Sequence, residues 1–409
     1  MLQSTRVLTE YRMRFVSVLI VLLSMLEGSS PASELVEIWK LDLDSQDRNH
    51  EAAACAFDGS DTLLLTRSSS HEFREVAFTT RRIDPRGAVR EETVLAKWEP
   101  SKSVGVGLAC GMFANVTDPA TKAPGLIITG RFRPGGISTI QRFSDKGALE
   151  WTEPLPGGEL TVYLDAVPFQ DGYLLTGVSG TSGVAVAVDS IGQKRWAAVG
   201  KKRTKTSKAA PLKDGSVALL SHSFEKTGVD NSSRLTMCDS RGKVLHEVSL
   251  EGTAEKRRVN PLTGEIEDDS WLVGTLPGDR ILVVKTLSPE GKQSELVGEI
   301  YDATLKRLET VDFSAVIEGW GAVHSVGALG ESEIYIIGEH GKAITVASAS
   351  LGGRLRSKLR AEPPPGAYGT KAWTDGRQRL CVFVDRVQKS ARRDLIRFGT
   401  VYMFQASMP

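Results

Sequence analysis

Asp171-Gly172-Tyr173-Leu174-Leu175-Thr176-Gly177, then Asp189-Ser190-Ile191-Gly192 with Trp196 four residues on: the fold is decided by reading this stretch. It is a tight turn, an apolar strand, a turn of Asp-x-x-Gly form and a further strand. Asp at the start of such a turn accepts hydrogen bonds from the backbone that follows, and Gly supplies positive φ at its end. The unit recurs along the chain, and a recurring unit of this size means an array of small sheets.

The first turn appears at Asp58-Gly59, Pro124-Gly125, Asp171-Gly172, Asp214-Gly215, Pro277-Gly278, Gly330-Glu331 and Asp375-Gly376. Short apolar strands follow it, among them Leu63-Leu64-Leu65, Ile281-Leu282-Val283-Val284 and Ile334-Tyr335-Ile336-Ile337. They are continuously apolar rather than alternating, as strands covered on both faces must be. The second turn recurs at Asp84–Gly87, Ser144–Gly147, Asp189–Gly192, Asp239–Gly242, Asp302–Leu305 and Ser350–Gly353. That is one copy fewer. The last repeat lacks a fourth strand after Val401–Gln405, and Leu35–Asp42, carrying Trp39, resembles the strands at Trp151 and Trp196. The expected fold is all-β: a seven-bladed β-propeller of four-stranded antiparallel blades, residues 33–409, its last blade closed by an N-terminal strand at 34–43. Six blades plus a separate N-terminal element is the alternative.

The phrases at 172–177 and 189–196, with Gly125-Leu-Ile-Ile-Thr-Gly130 and Trp151, resemble the quinoprotein-type (PQQ-like) repeats of exported bacterial propellers. The resemblance implies a propeller and not the quinone. The dehydrogenases of that fold typically carry an adjacent Cys pair and a Trp in most blades. This chain has no adjacent Cys pair and lacks that Trp in four repeats. No cofactor is expected.

Arg6, Arg12 and Arg14 precede an apolar run from Phe15 to Leu26, too short to span a bilayer and suited to a signal-peptide core, and Ser30-Pro31-Ala32 offers a cleavage site. Residues 1–32 therefore read as a signal peptide of a secreted or periplasmic monomer; an uncleaved anchor is the alternative. Of four cysteines, Cys55 and Cys110 read as lying on innermost strands of neighbouring repeats, within reach of each other. Cys238 and Cys381 read as far apart, and scattered cysteines in a large domain are more often buried small hydrophobes.

A net charge of +1 excludes a grossly basic nucleic-acid binder. The six His form no metal-ligand spacing, and His50 and His324 begin innermost strands that line the channel. Asp42-Leu-Asp44-Ser-Gln-Asp47 lacks the Gly and Glu of a calcium loop. No nucleophile elbow or phosphate loop appears. The innermost strands are poor in ionisable groups, with Asp165, Lys208, His324 and Lys371 as the exceptions.

Sorting loops by face puts the turn aspartates on one side of the disc. The crossings between blades put Lys201, Lys202, Arg203, Lys205, Lys256, Arg257, Arg258, Arg392 and Arg393 on the other, in what read as the longest loops. Turn chemistry asks for Asp, but it does not ask for Lys or Arg. The expectation is a non-enzymatic scaffold whose basic face binds an anionic protein, glycan or envelope surface. The alternative is a lyase, glycoside hydrolase or quinone-dependent oxidoreductase with its site at the central channel.

Overall fold

A computed structural model describes residues 35–43, 48–70, 76–98, 113–117, 124–130, 139–144, 148–154, 161–223, 233–250, 270–287, 295–341, 343–361, 367–375, 378–389 and 395–406. Strand β1 (Leu35–Leu43) comes first. Sheet 1 is β2 (Arg48–Asp58), β3 (Asp61–Ser70), β4 (Val76–Ile83) and β5 (Val89–Trp98). Sheet 2 is β6 (Phe113–Thr117), β7 (Pro124–Gly130), β8 (Thr139–Ser144) and β9 (Leu149–Pro154). Sheet 3 is β10 (Thr161–Phe169), β11 (Gly172–Ser179), β12 (Ser182–Val188) and β13 (Lys194–Lys202). Sheet 4 is β14 (Thr204–Pro211), β15 (Val217–Ser223), β16 (Ser233–Cys238) and β17 (Val244–Leu250). Sheet 5 is β18 (Ser270–Leu276), β19 (Arg280–Leu287), β20 (Glu295–Tyr301) and β21 (Arg307–Asp312). Sheet 6 is β22 (Ala322–Leu329), β23 (Glu333–His340), β24 (Ala343–Ser350) and β25 (Leu355–Ala361). Sheet 7 is β26 (Ala367–Thr374), β27 (Arg379–Lys389) and β28 (Leu395–Ala406), with β1 as its fourth strand.

The protein is an all-β propeller with four-stranded antiparallel blades. Each sheet is a simple meander except the last, where β1 pairs antiparallel with β28 from Leu35 opposite Ala406 to Leu43 opposite Gly399. The first strands of successive sheets touch in order, β2, β6, β10, β14, β18, β22 and β26, and β26 returns to β2. The first described strand of sheet 2 is Phe113–Thr117.

Among the described residues there is no single core. The buried apolar residues form clusters wedged between adjacent sheets, such as Tyr163, Tyr173 and Val186 of sheet 3 against Ile127 and Ile140 of sheet 2. Leu35, Leu380 and Phe404 of sheet 7 likewise meet Tyr335 and Ile337 of sheet 6. Trp39, Phe383 and Met403 of sheet 7 meet Cys55, Leu64 and Ile83 of sheet 1, which closes the circle. This is why the middle strands are apolar throughout: β11, β12 and β24 bury both faces.

The tryptophans work between sheets. Trp151 of sheet 2 lies on Gly192 of sheet 3, where a Cβ would sit 2.5 Å from the ring, and Trp196 of sheet 3 lies on Gly242 of sheet 4. Gly242 has φ of 80°, so glycine there meets a conformational demand and a steric one together. Trp196 Nε1 also donates to the Ser240 carbonyl at 3.0 Å. Trp39 makes the same contact at the seam, its Cβ lying 2.7 Å from a Cβ built on Gly87 of sheet 1. In sheet 5, Leu305 takes the glycine position of the turn with φ of 59°.

The turn aspartates are structural. Asp84, Asp189, Asp239 and Asp302 each accept two backbone N–H bonds through Oδ1, at 2.8–3.0 Å. Arginines also pair with turn carboxylates: Arg90 reaches Asp84, Arg82 reaches Asp58 and Asp61, Arg195 reaches Asp171, and Arg379 reaches Asp375. The acidic disc face expected from these turns is thus a set of capped and paired carboxylates. Among the described residues, no helix is long and apolar enough to cross a membrane.

Candidate functional site

Two places on this frame concentrate chemistry. The first is the crossing between sheets 3 and 4. Strand β13 ends at Lys202 and β14 begins at Thr204, so Arg203 alone joins them. Arg203 takes φ of 58° and its backbone N–H donates to the Thr181 carbonyl at 2.5 Å. Thr204 ties the corner, accepting from the Gly183 N–H at 3.1 Å and donating to the Lys201 carbonyl at 2.6 Å. The crossing was expected to be a long loop. It is a tight, hydrogen-bonded corner instead, because the two strands run almost to each other.

Lys201 Nζ lies 3.1 Å from Glu247 Oε1 of β17, and Arg234 of β16 lies 2.6 Å from the same oxygen. Partial burial pushes the Glu247 carboxyl up, but the hydrogen bonds from Lys201 and Arg234 outweigh it and hold it below the ordinary carboxylate range. Two cations therefore share one carboxylate, with Lys202 exposed beside them. Arg203 and Lys205 adjoin the same corner. Lys256, Arg257, Arg258, Arg392 and Arg393 lie outside the described residues, as do residues 1–32 and Cys110.

The second place is the central channel. In β2, β10, β14, β18, β22 and β26 the ladder with the second strand slips by one residue, a bulge repeated around the ring. The residue after the bulge is Ala54, Asp165, Lys208, Gly274, Ser325 or Gly369, so these occupy one layer. Asp165 and Lys208 meet there, Nζ to Oδ2 3.0 Å, with Lys208 about half exposed. Nothing lies within 4 Å of a Cβ built at Gly274, which leaves room in the layer. Tyr335 lies over Gly327. Burial raises its phenol, and Ser325, Lys208 and Asp165 modulate it.

Of the four ionisable residues expected in the channel, Asp165 and Lys208 come together. His324 is the bulged residue of β22 and turns to Glu339, Nε2 to Oε1 3.1 Å. Lys371 lies three positions past the bulge of β26, on another layer. The side chain of His50 is outside the described residues.

Sequence reasoning missed His222. It is buried, with Nε2 2.8 Å from Ser207 Oγ and Nδ1 2.9 Å from Ser233 Oγ, and Ser270 of the next sheet donates to Ser233 at 2.8 Å. Ser207 is the bulged residue of β14, so only the slipped register brings it to His222. A hydroxyl beside an imidazole is the geometry of a nucleophile and its base. The group behind the imidazole is a hydroxyl rather than a carboxylate, so it supplies no counter-charge to an imidazolium. Among the described residues, no three His, Cys, Asp or Glu side chains gather to hold a metal ion.

No protein-family model matches the chain, and no curated protein matches it. Solved structures resemble it at the level of fold. The β-propeller domain of the Trilobed protease from Pyrococcus furiosus is 9% identical, with a TM-score of 0.49 over 87% of this chain and 94% of that one. The Dos1 propeller is 10% identical, TM-score 0.47, covering 91% and 95%. The polysaccharide lyase Uly1 is 10% identical, TM-score 0.49, covering 91% and 100%. At such identities the likeness concerns architecture alone, and activity does not travel with a fold.

Proposed function

We propose that this protein is a non-enzymatic, exported binding scaffold, a monomeric ring of seven blades that captures an anionic partner at the crossing between sheets 3 and 4. The observation that carries the reading is the sharing of Glu247 by Lys201 and Arg234 beside exposed Lys202. Two positive charges meet one carboxylate there, with a third cation exposed beside them. The corner that presents it is held by Arg203 and Thr204 hydrogen bonds, so little ordering cost remains for binding. The partner is an acidic protein, a polyanionic glycan or an envelope surface rather than nucleic acid. Seven four-stranded sheets support the blade count, and the apolar run from Phe15 to Leu26 supports export.

Retention on an immobilised sulfated polysaccharide tests the reading. The wild-type chain binds at low salt and elutes as salt screens the charges. The variant Lys201→Glu/Lys202→Glu/Arg203→Glu loses about tenfold or more in affinity with its circular dichroism unchanged. Equal retention of both proteins removes the proposal.

The Asp165–Lys208 pair favours a second reading, a channel site for a small molecule bearing both charges. An amino acid or amino sugar at saturating concentration would then raise the melting temperature of the wild type, about 2.7 kcal/mol at a hundred times Kd. Asp165→Asn and Lys208→Met would abolish the rise. A wild type that shifts with no member of such a panel excludes this site.

A further inference from the structure

We propose that Cys55 and Cys381 form a disulfide that bolts sheet 1 to sheet 7 across the seam of the ring. Cys55 lies on β2 opposite Leu64, and Cys381 lies on β27 between Trp373 and Met403 of its neighbouring strands. Both side chains are fully buried and belong to one cluster with Trp39 and Phe383. Strand β2 packs against β26, β27 and β28, which brings the two free thiols into the same buried cluster. The expected neighbour of Cys55 was Cys110, on the assumption that adjacent repeats in sequence are adjacent in space. Ring closure makes the first and last sheets adjacent as well, and that is the contact Cys55 makes. Cys238 sits between sheets 3 and 4, away from this seam.

The position gives the bond its effect. Sheets elsewhere in the ring are joined to their neighbours by the chain itself. At the seam the chain joins sheet 1 only to β1, and β1 is held to the other three strands of sheet 7 without a covalent link, through the β1–β28 ladder and the cluster around Trp39. Nearly the whole described chain lies between the two cysteines, so a link between them removes more freedom from the unfolded ensemble than a link between neighbouring strands.

The oxidant is a disulfide donor, either oxidised glutathione or a thiol–disulfide oxidoreductase. One cysteine thiolate attacks the donor disulfide, forming a mixed disulfide and expelling one donor thiolate. The second cysteine then displaces the other donor sulfur. One S–S bond forms, two thiol protons leave, and the donor is reduced by two electrons to two thiols. Burial pushes the Cys55 thiol well up, so the closed ring exchanges slowly and the bond forms while the seam is still open.

The test is refolding of the full chain with oxidised glutathione, followed by alkylation, digestion and peptide mass mapping. The expected result is a Cys55–Cys381 linked peptide, with a melting temperature roughly 5 °C or more above that of the dithiothreitol-treated protein. Cys381→Ala should melt at one temperature under both conditions. Complete alkylation of both cysteines after oxidative refolding overturns the proposal. A Cys55–Cys110 linked peptide overturns it equally, and the wild-type map decides even where the alanine variant fails to fold.

Discussion

Replacing Trp39 with alanine lowers the stability of the protein by about 3–5 kcal/mol, the range for emptying a large aromatic site in a packed core. The side chain is 6% exposed and packs with Leu64, Phe383 and Met403 between sheets 7 and 1. Its ring atoms Cγ and Cδ2 also lie over Gly87, so removing the ring opens space beside a glycine that cannot fill it. The contact also fastens β1, whose ladder with β28 covers the edge of the last sheet. Loosening β1 exposes that edge for pairing with another chain, so aggregation should rise together with the loss of stability. Trp196→Ala removes the equivalent contact with Gly242 from a less buried residue, and its cost should be smaller. Guanidinium denaturation midpoints at constant slope compare the two variants. A loss below about 1 kcal/mol for Trp39→Ala would mean that the ladder alone closes the ring.

Glu299→Gln costs about 3 kcal/mol, because it strips the counter-charge from a buried ammonium. Glu299 and Lys285 are 4% and 5% exposed, with Nζ 3.1 Å from Oε1. Arg307 donates to Oε1 at 2.9 Å and Tyr301 Oη to Oε2 at 2.7 Å. Burial pushes the Glu299 carboxyl up, yet the hydrogen bonds from Tyr301, Lys285 and Arg307 hold it below its ordinary value. A carboxyl depressed in the folded state contributes stability above its unfolded pKa of about 4.3, and that contribution fades as pH falls through the folded value. Wild type should therefore lose this increment in acid, and Glu299→Gln should lack it at every pH. The paired replacement Lys285→Met/Glu299→Leu should stay within about 1 kcal/mol of wild type at pH 7, since it removes both charges together. If the double variant were as unstable as Glu299→Gln, packing rather than charge would explain the loss.

The blade unit was legible because turns and doubly buried strands leave local marks. Asp189 and Gly192 specify their turn within four residues, and Leu174-Leu175 must be apolar wherever sheets stack on both sides. Trp39 was readable as a fourth strand for the same reason. Its partner was not. Trp39, Trp151 and Trp196 each dock on the turn of the following sheet, and that relation depends on how sheets stack rather than on any spacing within a repeat. The candidate sites divide in the same way. Asp165 and Lys208 were expected near the channel, but their sharing of one layer follows from a bulge in each inner strand.

Local chemistry by itself determined the strands, the turns and the strand that completes the last sheet, because hydrogen-bonding and burial patterns repeat within a few residues. Tertiary structure alone decided which side chains meet. Closing the ring brings Cys55 to Cys381 and Trp39 to Gly87, a bulge brings Ser207 to His222, and stacking brings Lys201 to the Glu247 that Arg234 also holds. Register, bulge and closure act over distances that no short stretch of sequence records, and the chemistry of this protein lies in the contacts they make.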